Sequence, residues 1–165
     1  MSATSEPSPP SGLLRTAFAR QAENLATILV TFWAGALWTV GFVVAPTLFE
    51  LLPERSLAGS VAGQLFHSVH WIAVFAGAYV LLFALLRHRR GALRHMAVWL
   101  VLAMLAIVAL GALLIQPHVA ELRSMLGTDE AARESFAMWH GVSSALYALS
   151  CVLAVMLVVK LKKLF

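Results

Sequence analysis

The sequence predicts an all-α integral membrane protein, a four-helix bundle of up-down topology. Hydrophobic residues make up 61% of the 165 residues and charged residues only 12%, whereas a soluble domain is nearer half apolar and a quarter charged. Four apolar stretches are each long enough to cross a bilayer, which takes about 20 helical residues. The basic residues lie between these stretches and not within them. A chain of this pattern needs lipid as part of its solvent.

The four predicted spans are residues 25–45, 61–86, 96–115 and 139–159, and none of them contains a charged side chain. The first follows a polar stretch rich in Ser and Pro and exceeds the apolar core of a secretory signal, so we expect it to be retained. Residues 1–20 are predicted to be a disordered polar tail, and residues 21–165 the transmembrane domain. The single cysteine lies in the fourth span, which excludes a disulfide framework.

The distribution of Lys and Arg predicts the orientation of the bundle. Three basic residues, Arg55, Arg123 and Arg133, lie among acidic residues on one side of the predicted membrane. The other nine lie on the opposite side: Arg15, Arg20, Arg87, Arg89, Arg90, Arg94, Lys160, Lys162 and Lys163. Because positive residues stay on the cytoplasmic side, we expect a bacterial inner-membrane protein with both termini in the cytoplasm. The lipid bilayer is the expected partner; nucleic acid is not, since no aromatic residues interleave with the basic clusters.

Prolines and a glycine predict where the helices end. Pro46 and Pro53 are expected to bracket the first outer loop, with the second helix beginning just after Pro53. Pro117 is expected to kink the third helix and to free a carbonyl near Leu113. A Gly-Thr pair at 127–128 predicts a tight turn between the third and fourth helices. Both helices would then extend beyond the membrane.

Four histidines form the main candidate site. His67 and His70 lie three residues apart in the second span, His118 follows the third span, and His140 opens the fourth. Counting 1.5 Å per residue from the basic ends places the four near one depth at the outer face. Imidazole binds transition metals and haem iron and carries protons. The open interpretations are a metal such as copper or zinc, haem, a proton or substrate relay, and hydrogen bonding without a ligand.

A second group of polar residues follows one face of the fourth helix. The spacing of His140, Ser144, Tyr147 and Cys151 places them in one stripe, which is expected to face the other helices because polar groups in hydrocarbon need partners. His88 and His95, in the basic loop, are expected to face solvent or lipid headgroups. Phosphate-binding loops, paired catalytic carboxylates and nucleophile elbows are absent. No catalytic residue is therefore predicted.

Two segments of the chain resemble a known family. One is residues 33–53, WAGALWTVGFVVAPTLFELLP, continued by an AG-x-x-AG-x-LF run that ends at Phe66; the other is residues 136–150, FAMWHGVSSALYALS. They resemble small bacterial membrane proteins, catalogued as a domain of unknown function and related to eukaryotic transmembrane protein 205, which carry an F-x-x-x-HG-x-SS signature. The resemblance spans all four helices, although the third contributes little. The family-like positions on the fourth helix are His140, Gly141, Ser143 and Ser144, whereas Tyr147 stands where relatives often carry Asn.

This resemblance implies a multi-pass membrane protein of uncharacterised role, and three functions stay open. The first is a non-enzymatic protein that binds a metal ion or small ligand at the outer histidines, in transport or tolerance. The second is a haem- or porphyrin-handling component of a membrane oxidoreductase. The third is a structural or regulatory subunit. Four helices form a pathway only with difficulty, so a transporter is expected to be a homo-oligomer.

Overall fold

The described part of the chain is helical almost throughout. The computed structural model describes residues 11–125 and 130–164. These residues form four helices that are long and apolar enough to cross a membrane: Thr16–Leu51, Arg55–Arg94, Met96–Arg123 and Glu130–Leu161. Each of them contains one of the four predicted spans. The prediction of an all-helical chain with four potential membrane-spanning helices is therefore confirmed.

Local changes of helix type divide these helices into shorter elements. In chain order they are α1 (Ser11–Thr39), a first π turn (Val40–Val44), α2 (Ala45–Leu51), α3 (Arg55–His88), a 3-10 helix (Arg89–Arg94), α4 (Met96–Leu110), a second π turn (Gly111–Ile115), α5 (Gln116–Met125) and α6 (Glu130–Leu161). Helix α1 begins within residues 1–20, which were expected to form a disordered tail; residues 1–10 lie outside the described part. The turn predicted at 127–128 also lies outside it.

The two π turns accommodate prolines within continuous helices. A proline has no amide hydrogen, and its ring clashes with the carbonyl four residues earlier. The π turns, with their wider hydrogen-bonding pattern, end two residues before Pro46 and Pro117. The irregularity expected around Leu113 thus takes the form of a π turn. The expectation that Pro46 opens the first loop is wrong, because the chain stays helical to Leu51.

Small residues on α3 form much of the centre of the bundle. Its buried positions are Ala58, Ala62, Val69, Ala73, Ala76, Gly77, Val80 and Ala84. Larger buried side chains come from other helices, such as Trp33 of α1, Met104 of α4 and Leu157 of α6. In lipid, close packing rather than hydrophobic force holds helices together, and small residues let their backbones approach. Helix α3 contacts α1 and α4, and both of these contact α6.

Arg89 joins α3 to the 3-10 helix in a conformation that favours glycine. It is the one non-glycine residue in the described ranges with a positive φ, at φ 49° and ψ −123°. A side chain held in a sparsely populated backbone region of this kind costs about 1–3 kcal/mol. The chain reversal at the end of α3 is therefore maintained against local strain.

We expect Arg89→Gly to raise the free energy of unfolding by about 1 kcal/mol, because glycine adopts this conformation without a steric penalty. Thermal or denaturant unfolding of the protein in detergent measures the change. Arg90→Gly is the matched control, since this substitution removes the same charge at the next residue, where φ is not positive. A stabilisation by Arg90→Gly equal to that by Arg89→Gly would contradict the argument from strain.

Candidate functional site

Contacts between α3 and α6 set the relative heights of the candidate histidines. The rings of Phe66 and Tyr147 meet edge to face, with centroids 5.0 Å apart. Towards the other end of both helices, Nε2 of His88 lies 2.8 Å from the carbonyl oxygen of Leu164. Residues later in α3 therefore lie beside residues later in α6. The two helices run in the same direction, and the ring contact places Phe66 of α3 at the level of Tyr147 of α6.

This alignment separates His140 from the histidines of α3. His140 precedes Tyr147 by seven residues, which is about 10 Å along the helix axis. His67 directly follows Phe66, and His70 lies almost one further turn in the opposite direction from His140. Judged from this ring contact, His140 lies further out than His67 and His70. The expectation of one depth treats the basic residues that end the second and fourth helices as level, whereas Phe66 lies beside Tyr147.

His118 lies at the outer level, near His140. Its ring meets the ring of Trp139 edge to face, with centroids 5.0 Å apart, and Trp139 directly precedes His140 in α6. The candidate histidines thus form an inner pair on α3 and an outer pair on α5 and α6. No group of three or more His, Cys, Asp or Glu side chains in residues 11–125 and 130–164 is arranged to hold a metal ion. A metal at these histidines stays a prediction.

Aromatic side chains contact the rings of both pairs. The indole N–H of Trp71 donates to Nε2 of His67 at 3.1 Å, which is the i, i+4 neighbour on the same helix face. The ring of His140 stacks on that of Phe136 with an angle of 6° between the planes. His67 and His140 are exposed, whereas His70 is half-buried. The inner pair therefore combines one exposed imidazole with one that is half-buried.

The polar stripe of the fourth helix divides into an inner and an outer part. Tyr147 is half-buried and Cys151 is buried, and both contact α1. Ser144 is exposed and donates to the carbonyl four residues earlier in its own helix, at 2.9 Å. Gly141 is also exposed, and a Cβ built there meets no atom within 4 Å. Only the inner part of the stripe, from Tyr147 onwards, joins α6 to a neighbouring helix.

Tyr147 fastens α6 to α1 at the first π turn. Its hydroxyl donates to the carbonyl of Leu37 at 2.5 Å. Because the register of helical hydrogen bonds shifts at a π turn, this carbonyl can accept the tyrosine hydroxyl. A second bond is donated from α1 to α6: the indole N–H of Trp38 donates to the carbonyl of Cys151 at 3.2 Å. These two hydrogen bonds join α1 and α6.

The basic end of the bundle carries two pockets that the sequence did not predict. One is a groove of about 340 Å³ between α3, the 3-10 helix and α4, with Arg89 and Arg90 among its lining residues. The other, of about 350 Å³, lies between the start of α4 and the end of α6, and its charged lining residues are Arg94, His95, Lys160 and Lys163. The second pocket combines segments far apart in the chain, whereas the first depends on how the 3-10 helix turns α4 back beside α3. Sequence spacing alone therefore showed only the excess of charge.

His88 and His95 are packed together, in contrast to the expectation that they face solvent or headgroups. Their ring centroids lie 4.2 Å apart, and both residues are half-buried. His88 also hydrogen-bonds the carbonyl of Leu164 near the end of the chain. The 3-10 helix between the two histidines explains the difference, because its turn brings their rings to one side.

A comparison with protein families assigns the chain to one of them. A family model described as Domain of unknown function (DUF4149) matches residues 28–127, which is more than half of the chain. The chain belongs to this family. The match runs from α1 to the end of α5, so the HG-x-SS segment of α6 lies outside it. Neither the curated proteins nor the solved structures contain a match. Membership supports a protein of uncharacterised role and does not confirm the link to transmembrane protein 205.

Proposed function

We propose that this DUF4149 protein is an up-down bundle in a bacterial inner membrane, with both termini in the cytoplasm. The basic residues of the α3–α4 connection and of the α6 end support this orientation, because positive charge stays on the cytoplasmic side. Two contacts of α3 support the topology. Tyr79, late in α3, donates to the carbonyl of Ala22 early in α1. Phe66, early in α3, contacts Tyr147 of α6, whose hydroxyl donates to the carbonyl of Leu37 late in α1. The segment 136–150 supports the finer relation to transmembrane protein 205.

We further propose that the protein is not an enzyme and binds a transition-metal ion or a small ligand through His67 and His70, in transport or tolerance. The observation that carries this proposal is the placement of His67 and His70 three residues apart in α3, which puts two imidazoles on one helix face. Nε2 of His67 accepts the indole N–H of Trp71, so a metal at this nitrogen would replace that hydrogen bond. Copper and zinc are among the metals that imidazole ligands suit.

The inner pair supplies two ligands, so the remaining coordination positions need another source. Zinc sites in proteins usually have four ligands. Water completes such a site in a monomer, and a second copy of the chain would complete it with its own pair. The proposal therefore extends to a homo-oligomer. The proposal does not include His118 and His140, because His140 lies about 12–16 Å along the helix axis from the level of His67 and His70.

Metal content of the purified protein tests this proposal. After incubation with Zn²⁺ or Cu²⁺ and desalting, we expect stoichiometric metal in the natural protein. His67→Ala and His70→Ala should each weaken binding by at least about tenfold, since even residues that only support a ligand contribute that much. His118→Ala and His140→Ala are the matched controls and should bind as the natural protein does. Equal binding by all four variants, or no binding by the natural protein, would overturn the proposal.

A structural or regulatory role is the second candidate, and one observation favours it. The exposed outer part of α6 presents the small residues Gly141, Ser144 and Ala148 at helical spacing, which allows another helix to approach closely. A natural protein without bound metal in the experiment above would favour this role over ligand binding.

A further inference from the structure

The groove beside the 3-10 helix has an apolar floor and open apolar walls. Its floor includes the buried residues Ala84, Ala92 and Val98, and its walls include the exposed side chains of Leu85 and Leu93. Its volume of about 340 Å³ lies within the range of small-molecule sites. The groove opens on the outside of the bundle between α3 and α4, so in a membrane it faces lipid.

Two arginines give this groove a strongly positive rim. Arg89 and Arg90 are both exposed, and no Asp or Glu occurs in the sequence between Glu54 and Glu121. The arginines therefore have no acidic residue in the helices that form the groove. A guanidinium group binds phosphate through two parallel hydrogen bonds. The turn at Arg89, with its positive φ, keeps both arginines beside the apolar floor.

Trp99 indicates the level of the groove in a membrane. It is 58% exposed, and its indole N–H donates to the carbonyl of Leu93 at 2.9 Å. Tryptophan is enriched where the hydrocarbon meets the headgroups, with an apolar ring in the lipid and a bonded N–H. Leu93 also lines the groove. The groove thus begins at headgroup level beside the arginines and continues towards the hydrocarbon.

We propose that this groove binds one anionic phospholipid from the surrounding leaflet. One acyl chain lies along the apolar floor, and the phosphate is bound between Arg89 and Arg90. Membrane orientation requires positive charge at this end of the bundle but not at an apolar groove. A phospholipid, in contrast, needs positive charge for its phosphate directly beside an apolar surface for its acyl chain. The site is independent of the histidines on α3 and does not depend on the function proposed for them.

Native mass spectrometry of the full chain in detergent tests this proposal, with phosphatidylglycerol and phosphatidylcholine of the same acyl chains as probes. We expect the natural protein to retain one phosphatidylglycerol molecule and to bind phosphatidylcholine more weakly. Arg89→Gln together with Arg90→Gln should weaken phosphatidylglycerol binding by roughly 10- to 30-fold, since each charge near a lipid surface contributes about a factor of five. Arg87→Gln together with Lys162→Gln removes equal charge outside the groove and should leave binding nearly unchanged.

A second pair of variants tests the acyl chain. Leu102→Trp fills the groove from α4 and should lower the binding of both lipids, whereas Leu110→Trp, at a similarly exposed position of α4 outside the groove, should not. Circular dichroism confirms that each variant is folded. Equal binding of the two lipids by the natural protein would overturn the proposal. So would equal losses in the two double charge variants.

Discussion

Gly41→Ala is expected to lower the free energy of unfolding by about 1–3 kcal/mol, the usual cost of forcing an extra group into a packed site. A Cβ built at Gly41 overlaps Cε1 of Tyr147, so the ring must move. The movement also disturbs the bond from the Tyr147 hydroxyl to the carbonyl of Leu37, which adds about 1 kcal/mol. An alanine is ordinarily better than a glycine within a helix. Whether Gly41→Ala stabilises or destabilises the protein therefore depends on the presence of the Tyr147 ring.

Removing the tyrosine should reverse the effect of the same substitution. In a Tyr147→Ala background the ring is absent, and Gly41→Ala should then stabilise the protein by up to about 1 kcal/mol through helix propensity. A double-mutant cycle, measured by reversible unfolding in detergent, isolates this coupling. Gly35→Ala is the control, since a Cβ at Gly35 meets no atom within 4 Å. The same destabilisation by Gly41→Ala in both backgrounds would show that Tyr147 does not occupy this space.

Ala76→Leu is expected to destabilise the protein by about 1–3 kcal/mol, because Ala76 is 1% exposed and lies on the small-residue face of α3. A leucine there would force α3 away from the helices that pack on it. The neighbouring Gly77 illustrates how little space exists: a Cβ built at Gly77 lies 3.0 Å from the side chain of Leu105. Close packing is the main attraction between helices in lipid, so wider spacing weakens the whole bundle.

The same substitution two residues further along α3 serves as the control for Ala76→Leu. Ala78 is exposed, and Ala78→Leu should change the free energy of unfolding by no more than about 0.5 kcal/mol. Thermal unfolding of both variants in the same detergent gives the comparison. A small and equal effect of the two substitutions would contradict the assignment of the buried face of α3.

The membrane-spanning helices could be predicted because the signal for each of them is local. An uninterrupted apolar run of about 20 residues needs no knowledge of the rest of the chain, and all four runs lie within the observed helices. Helix ends were harder to predict. Pro46 alone predicts the end of a helix, yet the chain stays helical to Leu51. A π turn precedes this proline, and altered hydrogen bonding of this kind can compensate for the missing N–H.

The candidate site was predicted in its residues but not in its arrangement. His67 and His70 could be paired from sequence, because residues three apart on a helix share a face. The separation of His140 from them could not, since it depends on how far α6 is offset from α3. The packing of His88 against His95 was missed for a related reason, because the 3-10 helix between them changes the direction of the chain.

Composition and the length of apolar runs are properties of each segment alone, so they suffice to predict a helical protein that is apolar over four spans and basic at one end. Which residues contact one another follows from the packing of the helices. In the sequence Tyr147 is one member of a polar stripe, yet its ring contact with Phe66 on α3 indicates the height of His140 relative to His67 and His70. Offset and rotation between helices follow from the fit of side chains over the whole interface, and no single segment contains that information.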